Sequence, residues 1–176
     1  MDAAQRRREI LDLLKAARQP VSAGTMAVQF QVSRQIIVGD IALLRAANVD
    51  IAATPRGYIL NSRNGEEDRL VHTIACKHDR ENLARELYLI VDNGCGLIDV
   101  TVEHAVYGQI SGQLHIFSRY DADNFLDKLS NDHVSPLCDL TGGVHLHTIA
   151  CHSEEAYKRV LAELRANGIL FESGQS

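Results

Sequence analysis

Two histidines on one predicted strand are the residues of this sequence best placed to do chemistry. The stretch from Gly142 to Cys151 reads GGVHLHTIAC, an apolar run entered through two glycines, and it predicts a β-strand. Successive side chains of a strand point to opposite faces, so His145 and His147 project from the same face at neighbouring positions. Two imidazoles in this arrangement can share a cation. A single His-x-His pair is by itself more typical of a solvated strand face, so other ligands must come from elsewhere in the sequence.

A third histidine follows a second copy of the same core sequence. His-Thr-Ile-Ala-Cys occurs at 72–76 as well as at 147–151, and each copy precedes a predicted helix. In common folds with this element order, the first and last strands are antiparallel neighbours. His78, just past the end of the first strand, then lies close to His145 and His147 near the start of the last.

A carboxylate from the helix after His78 can complete the site, with Glu86 as the first candidate and Glu81 as a weaker one. Eight helical residues span about 12 Å, so His78 must lie in a loop that folds back if Glu86 is its partner. Three histidines and a carboxylate suit zinc, nickel or another late transition metal, but not calcium. The alternative is a buried hydrogen-bonded cluster without metal. The remaining histidines are interpreted as structural or solvated: His72, His104, His115, His133 and His152. Of these, His72 could also be a metal ligand or support one.

The elements that must position these residues alternate in type from residue 70 onward. A serine at 153 caps the last predicted helix, and two glutamates in its first turn favour the helix dipole. The order βαββαβα predicts a two-layer α+β sandwich, with helices on one face of an antiparallel sheet. The predicted strands are 70–76, 97–103, 112–117 and 144–151, and the predicted helices are 79–91, 121–129 and a last one that begins after 153 and ends at 168.

The first third of the sequence predicts a different architecture. Apolar spacing indicates a helix over 3–17, and Ser22 and Ser33 can cap two further helices with a tight turn between them. This is a helix-turn-helix. Two short strand-like runs at 50–53 and 57–60 add a wing.

The residues expected to contact DNA lie on the third helix and the wing. Arginine and glutamine make bidentate contacts with base edges, and a wing arginine reaches phosphates or the minor groove. A trihelical interaction module is the alternative interpretation, but the charge favours DNA. Residues 1–63 carry net charge +4, whereas residues 64–176 carry −9. The candidate DNA-binding residues are Ser33, Arg34, Gln35, Val38 and Arg56.

The remaining bulk features indicate a cytoplasmic protein of two domains, at 1–62 and 68–173, joined by the polar stretch 61–68. The apolar runs are too short to span a membrane, and the charged start is followed by no signal-peptide core. Four cysteines lie far apart without a Cys-x-x-Cys pair, so we expect reduced, structural thiols.

Taken whole, residues 1–170 resemble the bacterial niacin-responsive repressor family (NiaR), a winged helix followed by a three-histidine regulatory domain. The resemblance is carried by VSRQ at 32–35, ATPRGY at 53–58 and LTGGVHLHTI at 140–149. One departure is Gly39, at a recognition-helix position where a longer polar residue is expected.

The resemblance implies more than the residues do alone. It implies a homodimeric repressor of genes for NAD biosynthesis and niacin uptake, with operator DNA and nicotinic acid as partners. It also implies a regulatory fold like the open-faced sandwich of the histidine phosphocarrier HPr. One divalent metal ion, nickel or zinc, is implied there, with the ligands His78, Glu86, His145 and His147.

Two competing functions stay open at this point. A metal with three protein ligands and water can hydrolyse esters or amides. However, two-histidine phosphoesterases carry His-x-Thr, whereas threonine follows histidine directly here, and no paired general acid and base stands out. We therefore expect no enzyme activity. A repressor that senses the metal itself is the third interpretation.

Overall fold

The computed structural model describes residues 2–61 and 69–172. The chain divides into two compact units, residues 1–65 and 66–176. The predicted linker at 61–68 falls almost wholly on residues 62–68, which lie outside the described residues. Every helix in the described ranges is too short or too polar to serve as a membrane span.

The first unit contains three helices and an antiparallel hairpin. Ser22 and Ser33 cap the second and third helices as expected, each accepting a backbone N–H three residues later through its Oγ. Gln31 ends the second helix in the left-handed conformation and makes the tight turn. The elements are α1 (Ala3–Ala16), α2 (Ala23–Phe30), α3 (Arg34–Ala46), β1 (Ile51–Thr54) and β2 (Gly57–Leu60).

The second unit is a four-stranded antiparallel sheet packed against three helices. In sheet order the strands are the first, fourth, second and third of this unit, so its first and last strands are neighbours, as predicted. The predicted α+β class, a winged helix-turn-helix followed by an open-faced sandwich, is confirmed. The elements are β3 (Leu70–Lys77), α4 (Leu83–Asp92), β4 (Cys95–His104), β5 (Gly108–Ile116), α5 (Arg119–Asn131), β6 (Val144–Cys151) and α6 (Glu154–Ala166), with 3-10 turns at Arg80–Asn82 and Leu137–Thr141.

One face of this sheet forms the core. Along β3, Ile74 and Cys76 are buried, whereas Thr73 and Lys77 are exposed. The buried side chains pack with residues from α4, α5 and α6 in one hydrophobic cluster. Burial at every second position is what a strand covered on one side requires.

The hairpin of β4 and β5 is longer than predicted. The sequence predicts these strands over 97–103 and 112–117. In the structure, β4 continues to His104 and β5 already begins at Gly108. Of the residues added near the turn, Gly108, Gln109 and Ser111 are exposed, and Gln109 Nε2 donates to Glu103 Oε1 across the strands at 2.9 Å. A polar, two-sided hairpin end gives no alternating apolar signal.

The expectation of four reduced cysteines is wrong for two of them. Cys95 and Cys151 form a disulfide, while Cys76 and Cys138 are free and buried. Cys95 lies directly opposite Cys151 in the register of β4 and β6, with a Cα–Cα distance of 4.1 Å. The sequence separation of 56 between the two cysteines hides this proximity from the sequence.

Candidate functional site

Four buried side chains of the second unit converge on one point. Measured from each imidazole Nε2 to the nearest carboxylate oxygen of Glu86, the distances are 2.8 Å for His78, 3.1 Å for His145 and 3.4 Å for His147. All four side chains are at most 3% exposed. The residues come from the loop after β3, from α4 and from β6.

Local backbone features bring these side chains together. His78 lies in the loop between β3 and the 3-10 turn, so it is free to fold back towards Glu86, as the sequence requires. Gly143, at φ +95°, approaches this loop so closely that a Cβ there would stand 2.4 Å from the carbonyl oxygen of His78. Only glycine fits such a contact in this conformation.

The three histidines are oriented in the same way. Each Nδ1 lies 2.7–2.9 Å from a backbone carbonyl oxygen, which belongs to Asp79 for His78, to Gly143 for His145 and to Asp99 for His147. A carbonyl only accepts, so each Nδ1 carries the proton and each Nε2 faces Glu86. Fixing of the ring by a hydrogen bond on its far nitrogen is typical of histidines that bind metals.

An irregularity in β4 supplies the carbonyl for His147. The register of β4 shifts between Leu97 and Asp99 against both neighbouring strands. At this point Thr148 N–H donates to the side-chain Oδ1 of Asp99, and the backbone carbonyl of Asp99 accepts from His147. Bulges of this kind often redirect groups next to functional sites.

The electrostatics of the cluster are those of a buried anion among imidazoles. Burial raises the pKa of Glu86, but the charge of His147 and the contacts of all three imidazoles outweigh it, so the pKa lies well below its usual value. Burial lowers the pKa of His78 and of His147, yet their contacts with Glu86 raise both above the ordinary value. The carboxylate is therefore ionised, and its charge favours a proton or a cation among the imidazoles.

The residues present fit a transition-metal cation. A neutral imidazole protonated at Nδ1 offers a lone pair at Nε2, and the carboxylate also accepts, so a proton or a cation must lie between them. His147 Nε2 is buried without a hydrogen-bond partner in the part of the chain that the structure describes. Nitrogen and oxygen donors in this combination suit zinc or nickel.

Cys76 is a further donor beside the cluster. Its sulfur, a carboxylate oxygen of Glu86 and a ring nitrogen of His145 all lie within 4.8 Å of one another. Burial, followed by the negative charge of Glu86, raises the pKa of the Cys76 thiol far above its usual value. Without a cation this thiol is protonated.

A cavity of about 590 Å³ adjoins the loop that carries His78. Lys77 and Arg80 bring positive charge to it, and the exposed Gly142 and the buried Gly143 line another side. Two carboxylates, of Asp79 and Asp139, and the ring of Phe171 also line the cavity. Its volume is in the range of small-molecule sites in proteins.

The candidate DNA-contacting residues lie on an exposed part of the first unit. Arg34, Gln35 and Val38 are exposed on α3, and Arg56 lies in the turn between β1 and β2. Ser33 Oγ is occupied as the helix cap, at 3.3 Å from the N–H of Ile36. These positions are those of a recognition helix and a wing.

A buried ion pair holds the opposite face of α3. Asp40 is 4% exposed and accepts from Arg6 Nε at 2.6 Å and from Arg7 at 3.4 Å. Both arginines belong to α1, so the pair joins the first helix to the recognition helix. A guanidinium is always charged and can make two parallel hydrogen bonds, so it suits a buried carboxylate such as that of Asp40.

Comparisons with known proteins agree over both units. A family model for the 3H domain matches residues 71–173, and a model for an HTH domain matches residues 6–59. The "Probable transcription repressor NiaR" of Thermotoga maritima is 41% identical over 170 residues, which cover 97% of this chain and 95% of that protein. The chain belongs to the NiaR family of transcription repressors. The "Transcription repressor NadR" of Bacillus subtilis is 38% identical over 168 residues, 95% of this chain and 93% of that protein.

Membership of the NiaR family makes this chain a transcription repressor with a DNA-binding helix-turn-helix. Both relatives are named as repressors and not as enzymes, which agrees with the expectation that the chain is not an enzyme.

The structure of this NiaR-family repressor brings together all four residues predicted as metal ligands, although their binding of a metal stays a prediction. Glu86 is the carboxylate at the cluster, whereas Glu81 is exposed. His72 is elsewhere: its ring stacks on Tyr157 at 3.7 Å, and its Nε2 lies 3.6 Å from Glu154.

Sequence reasoning missed two residues that bear on these sites, Cys76 and Asp40. The signal for Cys76 is its place two residues before His78, at the end of the duplicated His-Thr-Ile-Ala-Cys. The signal for Asp40 is weaker: an acidic residue one turn after Ile37 and next to Ile41, on the apolar face of α3.

Proposed function

We propose that this repressor controls genes for NAD biosynthesis and niacin uptake, with nicotinic acid as co-repressor and a divalent zinc or nickel ion in the regulatory domain. In this proposal residues 1–62 bind the operator, and residues 68–173 bind the effector. Family membership supports repression, while the resemblance stated above suggests the effector and the genes.

The observation that supports a metal site is the common orientation of three histidines around one carboxylate. His78, His145 and His147 each use Nδ1 on a carbonyl and turn Nε2 towards Glu86. These four residues would hold the ion, which supplies positive charge and a Lewis-acidic centre when bound. Their own role is to fix the loop at 78, α4 and β6 relative to one another.

The cavity beside His78 supports a small anionic effector. Nicotinate carries one carboxylate and a ring nitrogen, and Lys77 and Arg80 are cations that can pair with a carboxylate there. Gly142 has no atom within 4 Å of the position of a Cβ and allows a close approach by a planar ring, and Phe171 offers an aromatic face. Effector binding in this cavity bears directly on the loop that holds His78.

Control of DNA binding requires two arrangements of a dimer. Two recognition helices that read successive half-sites stand about 34 Å apart. The effector raises operator affinity only by binding more tightly to the arrangement with this spacing. We propose that Arg34, Gln35 and Val38 face base edges and that Arg56 contacts phosphate or the minor groove. Ser33, at the start of the same helix, would lie beside the DNA backbone.

The test is operator retardation by the full-length protein after chelation, on a duplex selected by this protein from random sequences. Four conditions are compared: no addition, nicotinate, zinc or nickel, and nicotinate with the metal. We expect strong retardation only when nicotinate and the metal are present together. Nicotinamide in place of nicotinate should give no gain in retardation. His145→Ala should abolish the gain, because it removes one ligand. His152→Ala, at an exposed histidine, is the matched control and should retain it.

The same cluster also fits a repressor that senses metal. In that case metal alone gives full retardation, and nicotinate adds nothing. A full response of His145→Ala to nicotinate with metal would contradict the site. Retardation without any addition, unchanged by nicotinate or metal, would contradict both functions.

A further inference from the structure

Cys76 stands at the site because of strand register. It lies directly opposite His145 in the antiparallel pair of β3 and β6. Side chains of directly opposed residues project from the same face with Cβ atoms about 4.5–5.5 Å apart. Since the imidazole of His145 points into the cluster, the sulfur of Cys76 is brought to the same place.

The surroundings of this sulfur are those of a ligand atom. The Cys76 side chain is 0% exposed, and its sulfur lies within 4.8 Å of both Glu86 and His145 donor atoms. It is a free thiol, whereas Cys95 and Cys151 are joined to each other. Two donors bound to one cation through bonds of about 2.0–2.3 Å stand at most about 4.6 Å apart, so these atoms lie near the separation that a shared cation requires.

We propose that Cys76 Sγ is a ligand of the cation held by His78, Glu86, His145 and His147, so that the donor set of this site includes sulfur. The proposal rests on the metal site of the proposed function. On binding, the S–H bond of Cys76 breaks, its proton passes to solvent, and a sulfur lone pair forms the bond to the cation. A thiolate selects zinc, cobalt, nickel or cadmium and disfavours magnesium, calcium and manganese.

The competing role for Cys76 is a hydrogen bond. As a thiol it can donate to Glu86 and orient the carboxylate without touching the cation. The two roles differ in one property: a ligand sulfur changes the spectrum of the bound metal, and a hydrogen-bond donor does not. Serine keeps the hydrogen bond and is a much poorer ligand, so Cys76→Ser separates the roles.

The experiment uses the full-length protein, stripped with a chelator and loaded with one equivalent of Co²⁺ or Zn²⁺. We expect a sulfur-to-cobalt charge-transfer band in the near ultraviolet. X-ray absorption of the zinc form should show one sulfur at about 2.3 Å beside nitrogen and oxygen at about 2.0–2.1 Å. Cys76→Ser should lose both signals and bind cadmium at least about tenfold more weakly. Cys138→Ser, at the other free buried cysteine, should retain them.

Each other outcome overturns the proposal. A wild-type spectrum with nitrogen and oxygen ligands alone removes sulfur from the site but leaves the metal in place. Failure to bind either metal rejects the metal site itself. Signals that persist in Cys76→Ser and vanish in Cys138→Ser would show that the ligand sulfur belongs to Cys138 and not to Cys76. If Cys76→Ser does not fold, the wild-type spectrum and Cys138→Ser still decide, since Cys95 and Cys151 are in the disulfide.

Discussion

Each unit holds a carboxylate that is at most 4% exposed, and these two carboxylates have different partners. In the first unit, Asp40 is 4% exposed and accepts from Arg6 and Arg7. In the second unit, Glu86 is 0% exposed and faces three imidazoles. Burial of an isolated ionised carboxylate is very costly, so both need partners.

The difference lies in the chemistry of the partners. A guanidinium only donates and is always charged, so the ion pair of Asp40 is complete within the chain. An imidazole donates or accepts, and at the cluster each ring has already used its N–H on a carbonyl. The pairing of Asp40 therefore fixes α3 against α1, whereas the imidazoles around Glu86 keep lone pairs at Nε2 that a cation can use. The ion pair of Asp40 joins its two helices without a ligand, whereas under the proposed function the histidine cluster needs a cation to join its elements.

The largest effect should follow from Glu86→Gln. This change keeps the shape of the side chain but removes the charge, and we expect zinc affinity to fall by more than about a hundredfold, or about 2.8 kcal/mol. Competition with a chromophoric chelator measures the affinity. Calorimetric unfolding should also show that zinc no longer stabilises the second unit. At a free zinc concentration of 100 times Kd, the wild type gains about 2.7 kcal/mol.

Glu81→Gln is the matched control, because Glu81 is exposed and precedes Glu86 by five residues. Its zinc affinity should equal that of the wild type. Wild-type affinity in Glu86→Gln, or a loss confined to Glu81→Gln, would break the contrast between the two carboxylates.

A smaller effect is expected from Asp40→Ala. This variant leaves Arg6 and Arg7 without their partner, and we expect the first unit to lose about 2–3 kcal/mol of unfolding free energy. The loss stays below that of a fully buried pair because Arg7 is 29% exposed. Denaturant unfolding measures it, and zinc should not restore it.

Asp12→Ala is the control for Asp40, since Asp12 is 72% exposed and pairs only with Lys15 among the described contacts of its side chain. Its effect should stay below about 0.5 kcal/mol. A zinc-dependent recovery of Asp40→Ala would show that the first unit also depends on a cation.

The smallest effect should come from Gly39→Ala. Gly39 is in the middle of α3, and a Cβ there meets no atom within 4 Å. Alanine should therefore stabilise the first unit by about 0.5–1 kcal/mol through helix propensity. Thermal unfolding measures the gain, and zinc affinity should not change. A loss of stability would show that the exposed face of α3 has a partner in the free protein.

Local sequence signals predicted much of this structure. The caps Ser22, Ser33 and Ser153 all accept the N–H expected of them, because capping depends on residues only three positions apart. The last strand begins and ends as predicted, at Val144 and Cys151, because its apolar run is bounded by glycines and a cap. The hairpin end at 104–108 and the disulfide were mispredicted, because they depend on pairing across strands and not on neighbours in sequence.

The sequence by itself determined the types of donor available, the duplicated strand motif and the helical faces of the recognition unit, since these follow from periodicity and side-chain chemistry. Only the tertiary structure decided which donors meet. Glu86 is at the cluster because it lies on the face of α4 that packs on the sheet, whereas Glu81 precedes α4 in an exposed 3-10 turn. The arrival of Cys76 depends on its register with His145. Register and packing arise from the whole buried core, so no short stretch of sequence contains them.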